Sequence, residues 1–285
     1  MGRAGNGMGK RFGFLAAGAR MLSRACLFGA LTAMPAWAAD LVLNVTLDYD
    51  QERNHVAAKS AMGEFAAYLG RAMGAPTRLV MTQNAEKVGE QIRTQSYDIL
   101  VAPSQLVGLA MRHGYEPVAR SQSSDRLALV ARAGSGIASF EQARGKVLAL
   151  PHRESLVSYL MRGELNALGL SPAGYFQRVV HVNGYEAALY ALEIGQSDVV
   201  AIKENASAAW LKAHPDAKVL KRFAEVPAAG VAVRAKFPGL LRDKLRAALA
   251  GLDAGMKGRL AKLGFGAFEV TKGGASGKRV QATYR

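Results

Sequence analysis

The sequence predicts an α/β protein of two similar lobes, each a mainly parallel sheet flanked by helices. Three observations predict it. A short phrase occurs twice, as Gln95-Ser96-Tyr97-Asp98-Ile99-Leu100-Val101-Ala102 and as Gln196-Ser197-Asp198-Val199-Val200-Ala201-Ile202. Each copy follows a helix-like stretch and turns at an aspartate into an apolar run of strand length, which is half of a βαβ unit. Strand-like and helix-like periods alternate along the chain, as in a parallel sheet with crossover helices. The length of 285 residues leaves room for two modest cores.

The elements follow in order. Leu41 to Leu47 reads as a first buried strand, with the polar loop Asp48 to Asn54 at its carboxyl end. A helix with Val56, Met62, Phe65, Ala66 and Leu69 on one face stops near Gly74-Ala75-Pro76, where glycine and proline end the period. Thr77 to Met81 is a second strand. Asn84 is placed to cap a helix carrying Val88 and Ile92. Asp98 to Ala102 is the third strand, and Ser104 opens a helix that ends at Gly114.

Arg126 to Ala131 is the next strand, broken by Gly134-Ser135-Gly136. Ser139 and Gln142 have the spacing of a capping box. Lys146 to Leu150 is a strand, and a helix carries Leu156, Leu160, Leu165 and Leu168. Arg178 to Val182 is a strand, Asn183-Gly184 a turn, and a helix bears Ala187, Ala188, Leu192 and Ile194 before the second Asp198 strand. Strands near 218–220 and 230–234, a basic amphipathic helix over about 239–252 and a short helix near 256–263 complete the set. The Gly-rich basic tail carries no periodic pattern.

The first forty residues differ in kind. Arg3, Lys10, Arg11, Arg20 and Arg24 precede any acid, Ala25 to Ala33 is apolar, and Ala36-Trp37-Ala38 places small residues where a signal peptidase reads. This predicts a secretory leader cut after Ala38. The apolar stretch is short for a membrane span. The only cysteine, Cys26, falls in the leader, so the mature chain has no disulfide, thiolate nucleophile or cysteine-bound zinc.

The net charge of +15 falls to about +10 without the leader. The remaining basic residues are dispersed, and no nucleic-acid-binding signature accompanies them. The histidines His55, His113, His152, His181 and His214 show no metal-ligand spacing, so neither metal nor cofactor is expected. No Gly-x-Ser-x-Gly elbow, Walker loop or cysteine nucleophile points to an enzyme.

Ligands of open α/β sheets sit beyond the carboxyl ends of strands. That rule selects Asp48 and Tyr49 after the first strand, Ser104 after the third, Asn183 after Val182, and Lys203 and Glu204 after the second copy of the phrase. Each has a plain alternative. Tyr49 packs or walls a cleft, Asp48 binds an amine or caps the next helix, and Ser104 is an N-cap. Asn183 is an ordinary Asn-Gly turn residue. Asn205 or Glu204 simply starts a helix.

The stretches Asp98 to Ser104, Gly114 to Arg120, Leu127 to Arg132, Gly134 to Ile137, Phe140 through Val147, and Ala187 through Ala201 keep an order and spacing over roughly 180 residues. On them the chain resembles the periplasmic substrate-binding proteins of ABC importers, of the two-lobed type II class, and within it the phosphonate, phosphite and phosphate binders. The resemblance implies a first lobe over 39–121, a second over 122–225 and a return to the first over 226–285. Two crossover connections, near 119–126 and 223–231, act as hinges. It implies a monomer that takes a small polar, anionic ligand in the inter-lobe cleft and delivers it to an inner-membrane ABC permease, without catalysis; the alternative is a sensory or accessory protein of the same fold with a different small ligand or none.

One departure stands out. Such phosphonate binders place a Ser/Thr-rich, glycine-containing loop at the helix after the first lobe-two strand, where hydroxyls and backbone N–H groups hold the oxyanion. Here that place reads His152-Arg153-Glu154-Ser155-Leu156. Ser155 keeps one hydroxyl, Arg153 offers bidentate contact to an anion, His152 can donate, and Glu154 opposes an anion or pairs with Arg153.

Overall fold

In the computed structural model, residues 40–48, 55–82 and 84–271 are described. The leader with its cleavage site, Tyr49 and the basic tail lie outside them. Strands and helices alternate as β1 (Leu41–Val45), α1 (His55–Met73), β2 (Thr77–Met81), α2 (Ala85–Arg93), β3 (Ile99–Pro103), α3 (Ser104–Arg112) and β4 (Tyr115–Ser121). The second lobe contains β5 (Ser124–Ala131), β6 (Val147–Leu150), α4 (Leu156–Ala167), α5 (Pro172–Tyr175), β7 (Arg178–His181), α6 (Tyr185–Glu193), β8 (Val199–Lys203), α7 (Glu204–Ala213) and β9 (Lys218–Pro227). The chain then returns through β10 (Ala229–Arg234), α8 (Gly239–Ala250), α9 (Ala254–Lys262) and β11 (Phe268–Val270).

A six-stranded sheet has the order β11-β4-β10-β3-β1-β2, and a five-stranded sheet the order β7-β6-β8-β5-β9. Each is mixed rather than mainly parallel. β1 runs parallel to β2 and β3, and β6 parallel to β7 and β8. β10 and β5 run antiparallel to β3 and β8. The connections explain this. The chain passes between sheets from Ser121 to Ser124 and from Pro227 to Ala229, so β5 and β10 start at the end where β3 and β8 finish. Strands leaving that end oppose strands arriving there.

Packing follows side-chain period. Along β3, Ile99 and Val101 join one hydrophobic cluster with α1, α8 and α9, while Leu100 and Ala102 join another with α2 and α3. Alternate strand residues point to opposite faces, so a continuous apolar run buries both. The second lobe has its own cluster around Leu127, Leu129, Met161, Leu165, Tyr175 and Val199. Met62, Phe65, Ala66 and Leu69 of α1 are buried, but Val56, grouped with them by spacing, is 82 % exposed. It sits in the first turn, before the helix lies over the sheet.

The repeated aspartates explain the repeated phrase. Asp98 accepts a hydrogen bond from the Val42 backbone N–H at 2.7 Å, and Asp198 one from Val147 at 2.9 Å. Their own N–H groups return to the carbonyls of the same two residues, each at 2.9 Å. Arg234 and Arg132 donate their N–H groups to the Asp98 and Asp198 carbonyls. An aspartate thus fastens a central strand to its parallel neighbour in each lobe. Three residues earlier, Gln95 and Gly195 occupy the same left-handed position after the helix, at φ 52° and 74°.

Sequence periodicity does not reveal β4 and β11. β4 contains Pro117, and its register against β10 shifts between Val231 and Ala232. Proline donates no ladder hydrogen bond and breaks the alternation that marks a strand. β11 is too short to show a period. No helix among the described residues is long and apolar enough to cross a membrane.

Candidate functional site

A cleft of about 780 Å³ lies between the two sheets. Its floor is the carboxyl ends of parallel strands from both: Asp48 follows β1, Pro103 closes β3, Asn183 follows β7 and Lys203 closes β8. The crossover residues Ser123, Ser124 and Ala228 line it, as do Tyr185 and Glu186 at the start of α6. Leu263, Gly264 and Phe265 after α9 form its apolar wall. This is where open α/β sheets place ligands.

Lys203 is the centre of the cleft's electrostatics. Its ammonium is bound to the Asp48 carboxylate and lies 2.8 Å from that of Asp125. The side chains of Lys203, Asp48 and Asp125 are 10, 10 and 6 % exposed. Burial by itself would lower the lysine's pKa, but Asp48 and Asp125 outweigh it and raise it above the ordinary value. The ring of Tyr185 lies 5.9 Å from the same ammonium. The lysine therefore carries its charge at any physiological pH.

The pair joins the lobes. Asp48 follows β1 of the six-stranded sheet, and Lys203 and Asp125 belong to the five-stranded one. Further hydrogen bonds cross between them among the described residues. The Ser104 hydroxyl donates to the Pro227 carbonyl, and the Gln105 side-chain amide donates to the Glu154 carbonyl at 3.3 Å.

Of the residues selected from sequence, Asp48, Asn183 and Lys203 line the cleft, and Tyr49 lies outside the described residues. The other five are placed differently. Ser104 is the first residue of α3, not its cap, and its hydroxyl is spent on Pro227. Ser155 is fully buried and caps α4, accepting from the Ser158 N–H at 3.2 Å. His152 Nδ1 accepts from the Glu154 N–H at 3.2 Å, and Arg153 is exposed. Glu154 accepts from the Tyr159 hydroxyl at 2.8 Å. Glu204 turns to Arg222 and Arg126 on β9 and β5.

Sequence reasoning missed Asp125, Ser123, Ser124, Tyr185 and Glu186. Asp125 is buried as the second residue of β5, and an acid just ahead of the apolar run from Leu127 was the available signal. Asn205 lines the cleft beside Lys203. Its amide reaches Asp125 at 3.5 Å.

The cleft-facing ends of α6 and α7 have backbone caps only, Gly184 and Lys203. In α7 the Ala206 N–H donates to the Asn205 side-chain oxygen at 2.8 Å, and both helix starts present the positive ends of their dipoles. Against them stand three carboxylates, Asp48, Asp125 and Glu186, with Lys203 as the only cation in the described lining. Among the described residues no group of three or more His, Asp or Glu is placed to hold a metal ion.

The model of a protein family, ABC transporter, phosphonate, periplasmic substrate-binding protein, matches residues 51–273. No curated protein matches the sequence. Among solved structures, XAC2383 from Xanthomonas citri, bound to chloride, has a TM-score of 0.69 at 19 % identity, covering 86 % of this chain and 95 % of its own. PhnD1 from Prochlorococcus marinus, in complex with methylphosphonate, has a TM-score of 0.62 at 14 % identity, covering 85 % and 96 %. PA3383 from Pseudomonas aeruginosa, a binding-protein component of a phosphonate ABC transporter, has 0.59 at 19 %, covering 81 % and 82 %. At these identities the likeness to single structures is one of fold, and the family match is what assigns membership. The chain belongs to the periplasmic substrate-binding proteins of phosphonate ABC transporters and has their two-lobed type II fold.

Proposed function

We propose that this protein is the solute receptor of an ABC importer, taking a small polar solute in the cleft and presenting it to an inner-membrane permease. The observation that carries this reading is the position of Lys203, Asp48 and Asn183. They lie at the carboxyl ends of strands in both lobes and around one cavity. A receptor closes when its ligand touches both lobes, because only those contacts favour the closed state over the open one. The connections Ser121 to Ser124 and Pro227 to Ala229 serve as hinges, with the second lobe over 122–225. The mature protein begins after Ala38 and acts as a monomer in the periplasm. As a transporter's binding protein it performs no catalysis.

For the solute we infer a phosphonate-type oxyanion. The family match supports it, as do the positive dipole ends of α6 and α7 and the Lys203 ammonium. Asn183 and Lys203 are its side-chain contacts in this reading, with Asp48 holding the ammonium in place. A second reading, a solute bearing an amine or guanidinium, is favoured by one observation: Asp48, Asp125 and Glu186 outnumber the cleft's one ammonium.

The test is a thermal-shift and calorimetric screen of the leaderless protein. It uses phosphate, phosphite, methylphosphonate, ethylphosphonate, 2-aminoethylphosphonate, sulfonates, arginine and simple amines. A bound solute stabilises by roughly 2.7 kcal/mol at a hundredfold excess over its dissociation constant. A shift with the phosphorus oxyanions supports the first reading, and a shift with amines alone supports the second. No shift with any of them removes the importer role.

A further inference from the structure

The centre of the cleft is a cation site built by two carboxylates from different lobes, and the cation in it is the chain's own. Asp48 comes from the end of β1 and Asp125 from the start of β5. Between them the Lys203 ammonium is nine-tenths buried, beside the Tyr185 ring. Two buried carboxylates with an aromatic face form a site of the kind that recognises an alkylammonium group.

We propose that Lys203 is the specificity-determining residue of the cleft, a tethered ammonium that fills its carboxylate pair and excludes solutes carrying an amine of their own. The solute class is then an amine-free oxyanion, such as an alkylphosphonate, rather than an aminoalkyl one. This rests on the cleft being the solute site.

The physical argument is one of competition. A free amine can enter only by displacing a cation that is covalently held beside the site, and a tethered group acts at a high effective concentration. Displacement would also leave the lysine charge buried without its partners, which is costly. An amine-free oxyanion meets neither obstacle. It needs no carboxylate, and it can accept from Lys203 near the positive dipole ends of α6 and α7. The pair Asp48 and Asp125 then orients the ammonium instead of binding solute.

The experiment is chemical rescue of Lys203→Ala with ethylammonium, read by thermal shift and calorimetry beside the wild type. The variant is expected to be stabilised by ethylammonium, or to be recovered folded only in its presence, while the wild type is unaffected. In parallel, the wild type is expected to bind ethylphosphonate about tenfold tighter than 2-aminoethylphosphonate. A Lys203→Ala variant that ethylammonium neither stabilises nor rescues overturns the proposal. So does a wild type that binds ethylammonium, or that prefers the amino compound. If the wild type takes no solute from the panel but ethylammonium rescues Lys203→Ala, the importer reading fails and takes the specificity role with it, leaving only the carboxylate pair's preference for an ammonium.

Discussion

The Lys203 ammonium of the five-stranded lobe is bound by the Asp48 carboxylate of the six-stranded lobe. The same ammonium is shared with Asp125 of its own lobe. The inter-lobe half of this triad can therefore be removed while the buried lysine keeps one partner.

Asp48→Asn is predicted to loosen the lobes and to cost below about 3 kcal/mol, less than breaking a buried pair outright, because Asp125 still compensates the charge. Small-angle scattering of the solute-free protein checks it. A larger radius of gyration than wild type is the expected result, and an unchanged one means that the pair does not hold the lobes together.

Asp98→Ala and Asp198→Ala are predicted to destabilise by about 1–3 kcal/mol each, because each leaves a strand N–H group, of Val42 or Val147, without its acceptor. Asp98 also pairs with Arg234 at 2.7 Å, so its loss should be the larger. Urea unfolding of both variants measures the difference, and equal costs would deny the arginine a role.

Ser155→Ala removes the cap of α4 and should cost about 1 kcal/mol with solute affinity within a factor of about 3 of wild type. Calorimetry after correction for the folded fraction separates the two effects. A loss of affinity at constant stability would restore Ser155 to the solute site.

Gly195→Ala places a side chain at φ 74°, a conformation that costs an L-residue about 1–2 kcal/mol. Gln95 already occupies the matching position at φ 52°. Gln95→Gly, which relieves that backbone but removes the side-chain bond to the His113 carbonyl, should be close to neutral. The melting temperature should therefore fall for Gly195→Ala and stay near that of wild type for Gln95→Gly.

Stability should fall with acid through His181. Partial desolvation of an otherwise exposed ring first, then the charges of Arg153, Arg162 and His152, hold its pKa below the ordinary value. The unfolded chain takes up a proton near pH 6.5 while the folded one resists it. The contribution is thus fully present above about pH 6.5 and is lost as pH falls from there through the lowered folded pKa. Unfolding free energies from pH 8 to 5 should show a shallower acid loss for His181→Gln; identical slopes would assign the loss to other groups.

The sequence by itself determined the alternation of strands and helices, the two-lobe plan and the strand ends that face the cleft. These follow from local period, from glycine and proline, and from an aspartate that repeats because it makes the same strand-to-strand bond in each lobe. Lys203 and Asp48 were selected from sequence because a strand end is a local feature. Only the tertiary structure decided which neighbour of Lys203 faces inward. Glu204 turns to arginines on β9 and β5, and Asn205 turns to the cleft. It also decided that Asp125, 78 residues before Lys203 and 77 after Asp48, joins them. It placed Ser155 under α4 instead of in the cleft. The physical reason is that charge pairing and burial depend on distances across the fold, which residues remote in sequence set together and no local pattern records.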